Sequence, residues 1–300
     1  MRQLFSYYGG KQRIAGRIVE LIPKHTVYVE PFFGGGSVFF RKPLPQTGNN
    51  NHYREVINDM DSRIITAYRV MQDRAKAKEL LRKIYFTPFS AEEYELSNKI
   101  MRGQIEADEI TLAWAVIFNF SSSFANKACA GLQRGVYGRN HATTWKTKKQ
   151  TFYKIIDRLD GVYIESKEAL DILKKWNSPQ SFAYIDPPYP ETDCGHYKGY
   201  TVDDHKALIK FLDEVWQGSF ILSGYDNDYT PEEWKIKEIE VTCSAKGRVG
   251  YDRSKKMDES DQKRKRAEVL WYRKNTAPIR DELLKVMRKP EFSVFNEREE

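Results

Sequence analysis

Short β-rich runs alternate with amphipathic helical patterns along most of this 300-residue chain, and this alternation constrains the fold more than any other feature. Apolar residues at three- and four-residue steps predict the helices, and Thr201 is placed to cap the last of them. Such alternation predicts an α/β fold with a mostly parallel sheet covered by helices on both faces. Runs rich in Val, Ile, Tyr and Phe predict strands at 26–30, 54–59, 161–166, 182–186, 219–224, 236–242 and 267–273, with helices at 12–22, 166–176 and 202–216.

The alternation stops between about residue 61 and residue 150. There the sequence predicts long helices, and then a loop-like region rich in small and basic residues. We therefore expect a mainly helical insertion at 61–150 within a sheet domain formed by 1–60 and 151–275, followed by a charged tail at 276–300. The long helical patterns cover 65–85, 90–101 and 109–120, and the loop-like region covers 121–149.

The insertion is basic and lacks neutralising acids. No Asp or Glu occurs between Ile110 and Ile156, and the whole chain carries a formal charge of +7. Basic residues interleaved with aromatics such as Phe124 and Trp145 suit a surface that lies against phosphates and bases, although a flexible loop without a partner has the same composition. The candidate nucleic-acid contacts are Lys127, Arg134, Tyr137, Arg139, Lys146 and Lys148.

Several classes of protein are not expected. The three cysteines are widely spaced and form no CxxC pair, and the five histidines show no ligand spacing, so we predict no disulfide framework and no metal site. No apolar run approaches the roughly 18 residues that a membrane-spanning helix needs. Residues 1–10 lack the apolar core of a signal peptide, and we expect a reducing compartment.

Two strand ends carry residues that are typical of a binding site for a nucleoside-like ligand. In VEPFFGGGSVFF (29–40), a strand ending in Glu30 leads through three glycines into a helix, whose first N–H groups are free to bind a ligand. The sequence does not match a P-loop. At the end of the next strand, Asp59 is placed to accept hydrogen bonds from ribose hydroxyls, or to cap the following helix.

A third strand end, in FAYIDPPYPE (182–191), carries an acid, two prolines and a tyrosine. The carboxylate of Asp186 and the carbonyl of Pro187 could accept both hydrogens of an exocyclic amino group. That arrangement favours a pyramidal nitrogen whose lone pair can attack a methyl carbon. Tyr189 offers a face for base stacking, worth about 1–3 kcal/mol. A rigid turn that merely ends the strand would have the same sequence.

Four motifs together resemble one family. YGGK (8–11), PFFGGGSVF (31–39), NDMD (58–61) and IDPPY (185–189) occur in the order and at the rough separations seen in Dam-type (D12 class) DNA N6-adenine methyltransferases. The resemblance covers most of residues 5–273. It implies a Rossmann-like seven-stranded S-adenosylmethionine-dependent methyltransferase fold, with the insertion as a target-recognition domain. The implied reaction methylates a flipped adenine in double-stranded DNA and leaves S-adenosylhomocysteine.

The resemblance also implies roles for individual residues. Tyr7, where the family commonly has Trp, would pack near the cofactor's adenine, and Lys11 would lie at its polar end. Ser223 and Tyr225 would lie near the target base. The further cofactor residues would be Glu30, Phe32, Gly34 to Gly36, Asp59 and Asp186, the catalytic motif would be Asp186, Pro187, Pro188 and Tyr189, and a closing hairpin would carry Lys246, Arg248, Lys255 and Lys256, either against phosphates or in solvent.

Three alternatives remain open at this point. The same clamp could hold the amino group of cytosine N4, the substrate could be RNA, or the chain could bind nucleic acid without catalysis. Identifying the methylated nucleoside tests for cytosine N4, and comparing methyl transfer to DNA and to RNA tests for an RNA substrate. Loss of methyl transfer in an Asp186 variant would exclude binding without catalysis. We further expect a cytoplasmic monomer, encoded by a bacterium or a phage.

Overall fold

A seven-stranded sheet forms the centre of the protein. The computed structural model describes residues 1, 3–43, 53–134, 140–189, 200–224, 230–241 and 266–273. In order along the sheet the strands are β3-β2-β1-β4-β5-β7-β6. β7 runs antiparallel to both β5 and β6, and the other described pairs are parallel. The seven predicted strands are confirmed, each with ends within two residues of the prediction. They are β1 (Val27–Glu30), β2 (Arg54–Asn58), β3 (Tyr163–Glu165), β4 (Ser181–Ile185), β5 (Ser219–Gly224), β6 (Lys235–Val241) and β7 (Arg266–Arg273).

Side chains from neighbouring positions of a strand enter two different hydrophobic clusters. In β1, Tyr28 belongs to one cluster and Val29 to the other, and Phe182 and Ala183 of β4 divide in the same way. This follows from the two-residue period of a strand. All five residues of β4 are buried, because a central parallel strand has both faces covered.

Helices cover both faces. The last two pack in the cluster of Val29, and the others contribute to the cluster of Tyr28. Thr201 caps the final helix in a capping box with Asp204, as predicted. Within the described residues the helices are α1 (Ala15–Leu21), α2 (Ser37–Arg41), α3 (Ser62–Gln72), α4 (Arg74–Phe86), α5 (Ala91–Met101), α6 (Glu109–Ser122), α7 (His141–Lys149), α8 (Tyr153–Leu159), α9 (Ala169–Lys175) and α10 (Val202–Glu214), and a 3-10 turn lies at Phe124–Asn126.

Two predictions for the insertion were wrong in detail. The single helix predicted at 65–85 is two helices, because Asp73 adopts extended backbone angles and its carboxylate accepts from the N–H groups of Ala75 and Lys76 at the start of α4. The apolar spacing continues through this break, so periodicity does not reveal it. The loop predicted at 121–149 contains α7, which begins with Asn140 as its N-cap.

The helices of the insertion share a hydrophobic core with the sheet. The side chains of α4 to α7 lie in the same cluster as Tyr28 and Phe182. Near the end of α6, the ring of Phe120 stacks on Phe5 and lies 5.1 Å from the ring of Tyr7. The insertion is therefore packed directly against the part of the chain that carries the YGGK motif.

Among the described helices, none is long and apolar enough to cross a membrane. Within the same residues, no group of three or more His, Cys, Asp and Glu side chains could hold a metal ion.

Candidate functional site

The sheet has one topological switch point, between β1 and β4. From β1 the chain continues to β2 and β3 on one side, and later to β4 and β5 on the other. In open α/β sheets, ligands bind at the carboxyl ends of the strands where the order reverses. Glu30 and Asp186 stand at the carboxyl ends of the two strands that flank this point.

Lys11 brings the N-terminal loop to the end of β4. Its ammonium donates to Oδ1 of Asp186 at 2.7 Å and to the carbonyl of Gly9 at 3.2 Å. Tyr189 donates its hydroxyl to the same carboxylate oxygen at 3.2 Å, and its ring centroid lies 5.2 Å from the ammonium. Three residues predicted for the site are thus in mutual contact. The Asp186 side chain is 19% exposed, so this carboxylate remains open to solvent or a ligand.

The glycine turn after β1 is held by neighbours that a side chain would displace. Gly34 and Gly36 have φ angles of 47° and 64°, which favour glycine. A Cβ on Gly36 would lie 2.4 Å from the ring of Phe33, and one on Gly34 would lie 3.0 Å from the ring of Tyr7. Both glycines are therefore required by the local geometry, and the ring of Tyr7 lies against the turn.

Asp59 lies buried at the end of β2 and faces the glycine turn. Its carboxylate accepts from the N–H of Gly34 at 2.7 Å and from the N–H of Asp61 at 2.9 Å. Burial raises the pKa of Asp59 to about 6, and these two hydrogen bonds oppose that rise. The alternative role as a helix cap is wrong for Asp59, because Asp61 caps α3 by accepting from the N–H of Arg63.

Glu30 is a second buried acid beside the turn. Burial raises its pKa to about 8, and the nearby charge of Asp186 adds to the rise. The hydroxyl of Tyr28 donates to it at 2.7 Å and partly offsets this effect. At neutral pH Glu30 is mostly protonated, so it can donate as well as accept a hydrogen bond.

The remaining predicted cofactor residue, Phe32, packs edge-on against Tyr200, with ring centroids 5.8 Å apart. Tyr200 directly precedes the cap of α10. Phe32 is partly buried in the cluster that also contains Val29. It therefore lies on the opposite face of the sheet from Tyr7 and Tyr28.

The candidate nucleic-acid contacts differ in their surroundings. Arg134 and Lys146 are exposed, and Lys127 lies with its ammonium 5.3 Å from the ring of Tyr8. Lys148 donates to Oγ of Ser121 at 2.7 Å. The predicted residues Tyr137, Arg139, Tyr225, Lys246, Arg248, Lys255 and Lys256 lie outside the described part of the chain.

The prediction that Trp145 belongs to a surface facing phosphates and bases is wrong, because the side chain is buried. It is 4% exposed, packs edge-on against Phe118, and donates its indole N–H to the carbonyl of Thr87. The local sequence HATTWKTKK gives no apolar stripe that would indicate this burial. Phe124, in contrast, is 59% exposed.

Two residues with roles at the site were missed by sequence reasoning. Asn58 donates to the carbonyls of Pro31 and Lys167 and accepts from the N–H of Lys167, so it ties the glycine turn to the segment after β3. Its position in NDMD, at the end of a buried strand, is a signal that could have identified it. The hydroxyl of Tyr68 on α3 donates to the carbonyl of Gly34, and nothing in the sequence of α3 indicates this contact.

The hydrogen-bonding groups at this end of the sheet fit S-adenosylmethionine. Lys11 and Asp186 offer opposite charges to an amino-acid end, and the Asp59 carboxylate retains lone pairs for hydroxyls. The turn at Gly34 to Gly36 would not hold side chains without displacing Tyr7 or Phe33.

Comparison with known proteins agrees with this geometry. Residues 7–242 match the family described as D12 class N6 adenine-specific DNA methyltransferase. The chain belongs to this family. For a D12 class enzyme, a flipped adenine and S-adenosylmethionine are general features, and DNA is the substrate class. Family membership decides for adenine over cytosine, for DNA over RNA, and for an enzyme over a silent binding protein.

Named relatives of this D12 class methyltransferase align over most of its length. The Type II methyltransferase M1.LlaDCHI of Lactococcus lactis subsp. cremoris is 25% identical, over 81% of this chain and 88% of its own. The Type II methyltransferase M.MjaIII of Methanocaldococcus jannaschii is 25% identical, over 80% and 91%. The DNA adenine methylase of Escherichia coli strain K12 is 23% identical, over 86% and 93%.

Proposed function

We propose that this D12 class methyltransferase methylates N6 of an adenine flipped out of double-stranded DNA, at the carboxyl end of β4. The contact of Lys11, Asp186 and Tyr189 beside the switch point carries the proposal. Asp186 and the carbonyl of Pro187 would accept the two hydrogens of the adenine amino group. Holding both N–H bonds draws the nitrogen lone pair out of the ring and orients it for attack.

The aromatic and proline residues of the motif would complete this site. Tyr189 is fixed by its hydrogen bond to Asp186, and its ring would stack on the adenine. Pro187 and Pro188 fix their φ angles and have no N–H, which keeps the turn rigid. A rigid turn supports catalysis because the two acceptors need no reorganisation when the base arrives.

The cofactor would lie over the glycine turn. When bound, S-adenosylmethionine supplies an electrophilic methyl group on a sulfonium. Lys11 and Asp186 would hold its amino-acid end, and Asp59 would accept from its ribose hydroxyls. Tyr7, Phe32, Gly34 and Gly36 would surround it, and Glu30, mostly protonated at neutral pH, would donate or accept one further hydrogen bond.

The insertion would bind DNA. Lys127, Arg134, Lys146 and Lys148, together with Tyr137 and Arg139, would contact phosphates or bases and make binding strongly dependent on salt. The residues 61–150 would serve as the target-recognition domain of the catalytic domain formed by 1–60 and 151–275. We further propose that the enzyme acts as a cytoplasmic monomer, which light scattering of the purified protein would test for its oligomeric state.

One experiment tests the reaction. The purified protein is incubated with methyl-labelled S-adenosylmethionine and a DNA of known sequence, the modified nucleoside is identified, and methylated positions are mapped base by base. We expect N6-methyladenine at a defined sequence, with no label in matched RNA. Label in N4-methylcytosine, or label in DNA from an Asp186→Asn variant at the parent rate, would contradict the proposed reaction or its mechanism.

A further inference from the structure

The segment after α6, residues 123–133, adopts a strained conformation. We call this segment the α6 loop. Ala125, Asn126 and Cys129 have φ angles of 53°, 55° and 55°. Residues with a Cβ rarely adopt positive φ, and asparagine tolerates it better than alanine or cysteine. A loop with several such residues keeps its shape only if the surrounding structure holds it.

Two buried side chains hold the α6 loop through hydrogen bonds. Oδ1 of Asn119 accepts from the N–H of Cys129 at 2.9 Å and from Oγ of Ser123 at 3.1 Å. The hydroxyl oxygen of Tyr94 accepts from the N–H of Gly131 at 2.8 Å and lies 3.0 Å from Oγ of Ser123. The two side chains thus fix both ends of the strained part.

Asn119 is itself held in one orientation. Its amide nitrogen donates to Oγ of Ser97 at 3.1 Å and to Oδ1 of Asn98 at 2.6 Å, both on α5. Asn119 is fully buried and Tyr94 is 5% exposed. Both amide hydrogens of Asn119 are engaged, so its oxygen can point only at the loop.

The α6 loop lies beside the catalytic site. The ammonium of Lys127 is 5.3 Å from the ring of Tyr8, which adjoins Tyr7 and the YGGK motif. The residue that follows Asn119 is Phe120, whose ring contacts that of Tyr7. The hydrogen bonds of Asn119 therefore set where the loop stands relative to the residues around Lys11.

We propose that Tyr94 and Asn119 are positioning residues that hold the α6 loop in the conformation to which DNA binds. The proposal rests on the proposed function, because it takes Lys127 to be a DNA contact. Binding by a preformed loop avoids the entropy cost of ordering it, so release of the loop lowers DNA affinity without touching the cofactor site.

The Tyr94→Phe variant tests this, because it removes both hydrogen bonds to the loop and keeps the ring. We expect the amide of Gly131 to exchange faster with solvent in hydrogen-exchange measurements. The dissociation constant for DNA should rise about tenfold, with that for S-adenosylmethionine changed less than about twofold. Unchanged DNA affinity, or an equal loss of affinity for the cofactor, would overturn the proposal.

Thr87→Val is the matched control. Oγ1 of the buried Thr87 donates to the carbonyl of Lys83 and accepts from the indole N–H of Trp114, and neither contact reaches the α6 loop. This variant should lower the melting temperature as Tyr94→Phe does, because it also breaks buried hydrogen bonds. It should keep DNA affinity and Gly131 exchange at parent values. A DNA-affinity loss equal to that of Tyr94→Phe would show a general packing effect instead.

A double-mutant cycle with Lys127→Ala separates this proposal from the proposed function. If the loop presents Lys127 to a phosphate, Lys127→Ala should weaken DNA binding and reduce the slope of log Kd against log salt by about one. The double variant should then bind about as weakly as Tyr94→Phe alone. Fully additive losses overturn the positioning role and leave the Lys127 contact standing. If Lys127→Ala leaves DNA binding unchanged, Lys127 does not contact DNA, and the inference is overturned together with that contact.

Discussion

Lys11 and Asp186 are 175 positions apart in the sequence, and their side chains meet at 2.7 Å at the carboxyl end of β4. Lys11 is 7% exposed, and its ammonium donates to this carboxylate and to the carbonyl of Gly9. The pair orients Asp186 before any ligand arrives. An oriented acceptor is what the proposed amino-group clamp requires.

Replacement of Asp186 by Asn should lower the rate of methyl transfer in a single turnover by about 10²–10³-fold, because a neutral amide is a weaker acceptor for the adenine amino group. Asn has the same shape and can still accept from Lys11, so the fold and DNA affinity should be retained. The rate is measured with labelled S-adenosylmethionine, with both the cofactor and the DNA at saturating concentrations.

Asp213→Asn is the control for that experiment. Asp213 is an acid on α10 that accepts from Trp234 and lies 3.9 Å from Arg273. Its replacement should leave the rate within about twofold of the parent, since it touches no residue of the site. If the single-turnover rate of Asp186→Asn equalled that of this control, Asp186 would have no part in the mechanism.

Affinity for S-adenosylmethionine should fall by about tenfold between pH 7 and pH 5, because Asp59 gains a proton there and an uncharged acid accepts hydroxyl hydrogen bonds less well. Burial raises the pKa of this group to about 6. The same shift makes its contribution to the free energy of unfolding greatest at low pH, and that contribution is lost as pH rises from about 4 through about 6.

Calorimetric titrations from pH 5 to pH 7, where Glu30 stays mostly protonated, check this dependence. In Asp59→Asn the cofactor affinity should be lower and should lose its dependence on pH in this range. Asp73→Asn is the matched control, since Asp73 also caps a helix, α4, by accepting from the N–H groups of Ala75 and Lys76. If the cofactor affinity of Asp59→Asn still changed with pH as in the parent, a group other than Asp59 would be responsible for the pH dependence.

The sheet could be predicted from sequence because its strands are buried on both faces. A strand such as β4 is then a continuous apolar run, and an acid that directly follows the run marks the strand end. Asp59 and Asp186 were found in this way. The sequence order of the strands alone does not give their order in the sheet, which only the structure shows.

Contacts between distant segments could not be predicted. No local pattern shows that Lys11 reaches Asp186 or that Tyr68 reaches Gly34. Trp145 was misplaced for the same reason, because its partners are Thr87 at the end of α4, Phe118 of α6 and Phe152 just before α8. The break at Asp73 was missed because a capping carboxylate interrupts the backbone without interrupting the apolar spacing.

Arg158→Met should lower the free energy of unfolding by about 3 kcal/mol, because it breaks a buried ion pair. Arg158 is 3% exposed and donates to both carboxylate oxygens of Glu55, with its guanidinium 3.5 Å from the centroid of the Phe39 ring. Lys42 remains 2.7 Å from Glu55 and keeps that carboxylate partly neutralised. Urea denaturation measures the loss.

The exposed Arg74 provides the comparison. It lies 3.6 Å from Asp157 and 3.4 Å from Asp160, and its side chain is 68% exposed. Arg74→Met should change the free energy of unfolding by less than about 0.5 kcal/mol, because solvent screens these pairs. Equal losses in the two variants would show that burial does not set the strength of the Arg158 pair.

Gly36→Ala should lower the free energy of unfolding by about 2–4 kcal/mol, because it adds a steric clash to an unfavourable backbone angle. The new Cβ would lie 2.4 Å from the ring of Phe33, and that ring packs against Phe39 and Tyr68. The glycine turn must then shift, so affinity for S-adenosylmethionine should fall by at least about tenfold.

Gly103→Ala separates the clash from the backbone angle. Gly103 has a φ of 69°, close to the 64° of Gly36, but a Cβ there would meet nothing within 4 Å. This variant should lower the free energy of unfolding by only about 1 kcal/mol and should leave cofactor affinity unchanged, because the unfavourable φ angle is its only added cost. Urea denaturation and calorimetry on both variants measure the difference. If Gly36→Ala were no more destabilising than Gly103→Ala and bound the cofactor normally, the turn would have room for a side chain, and its proposed close approach to the ligand would be wrong.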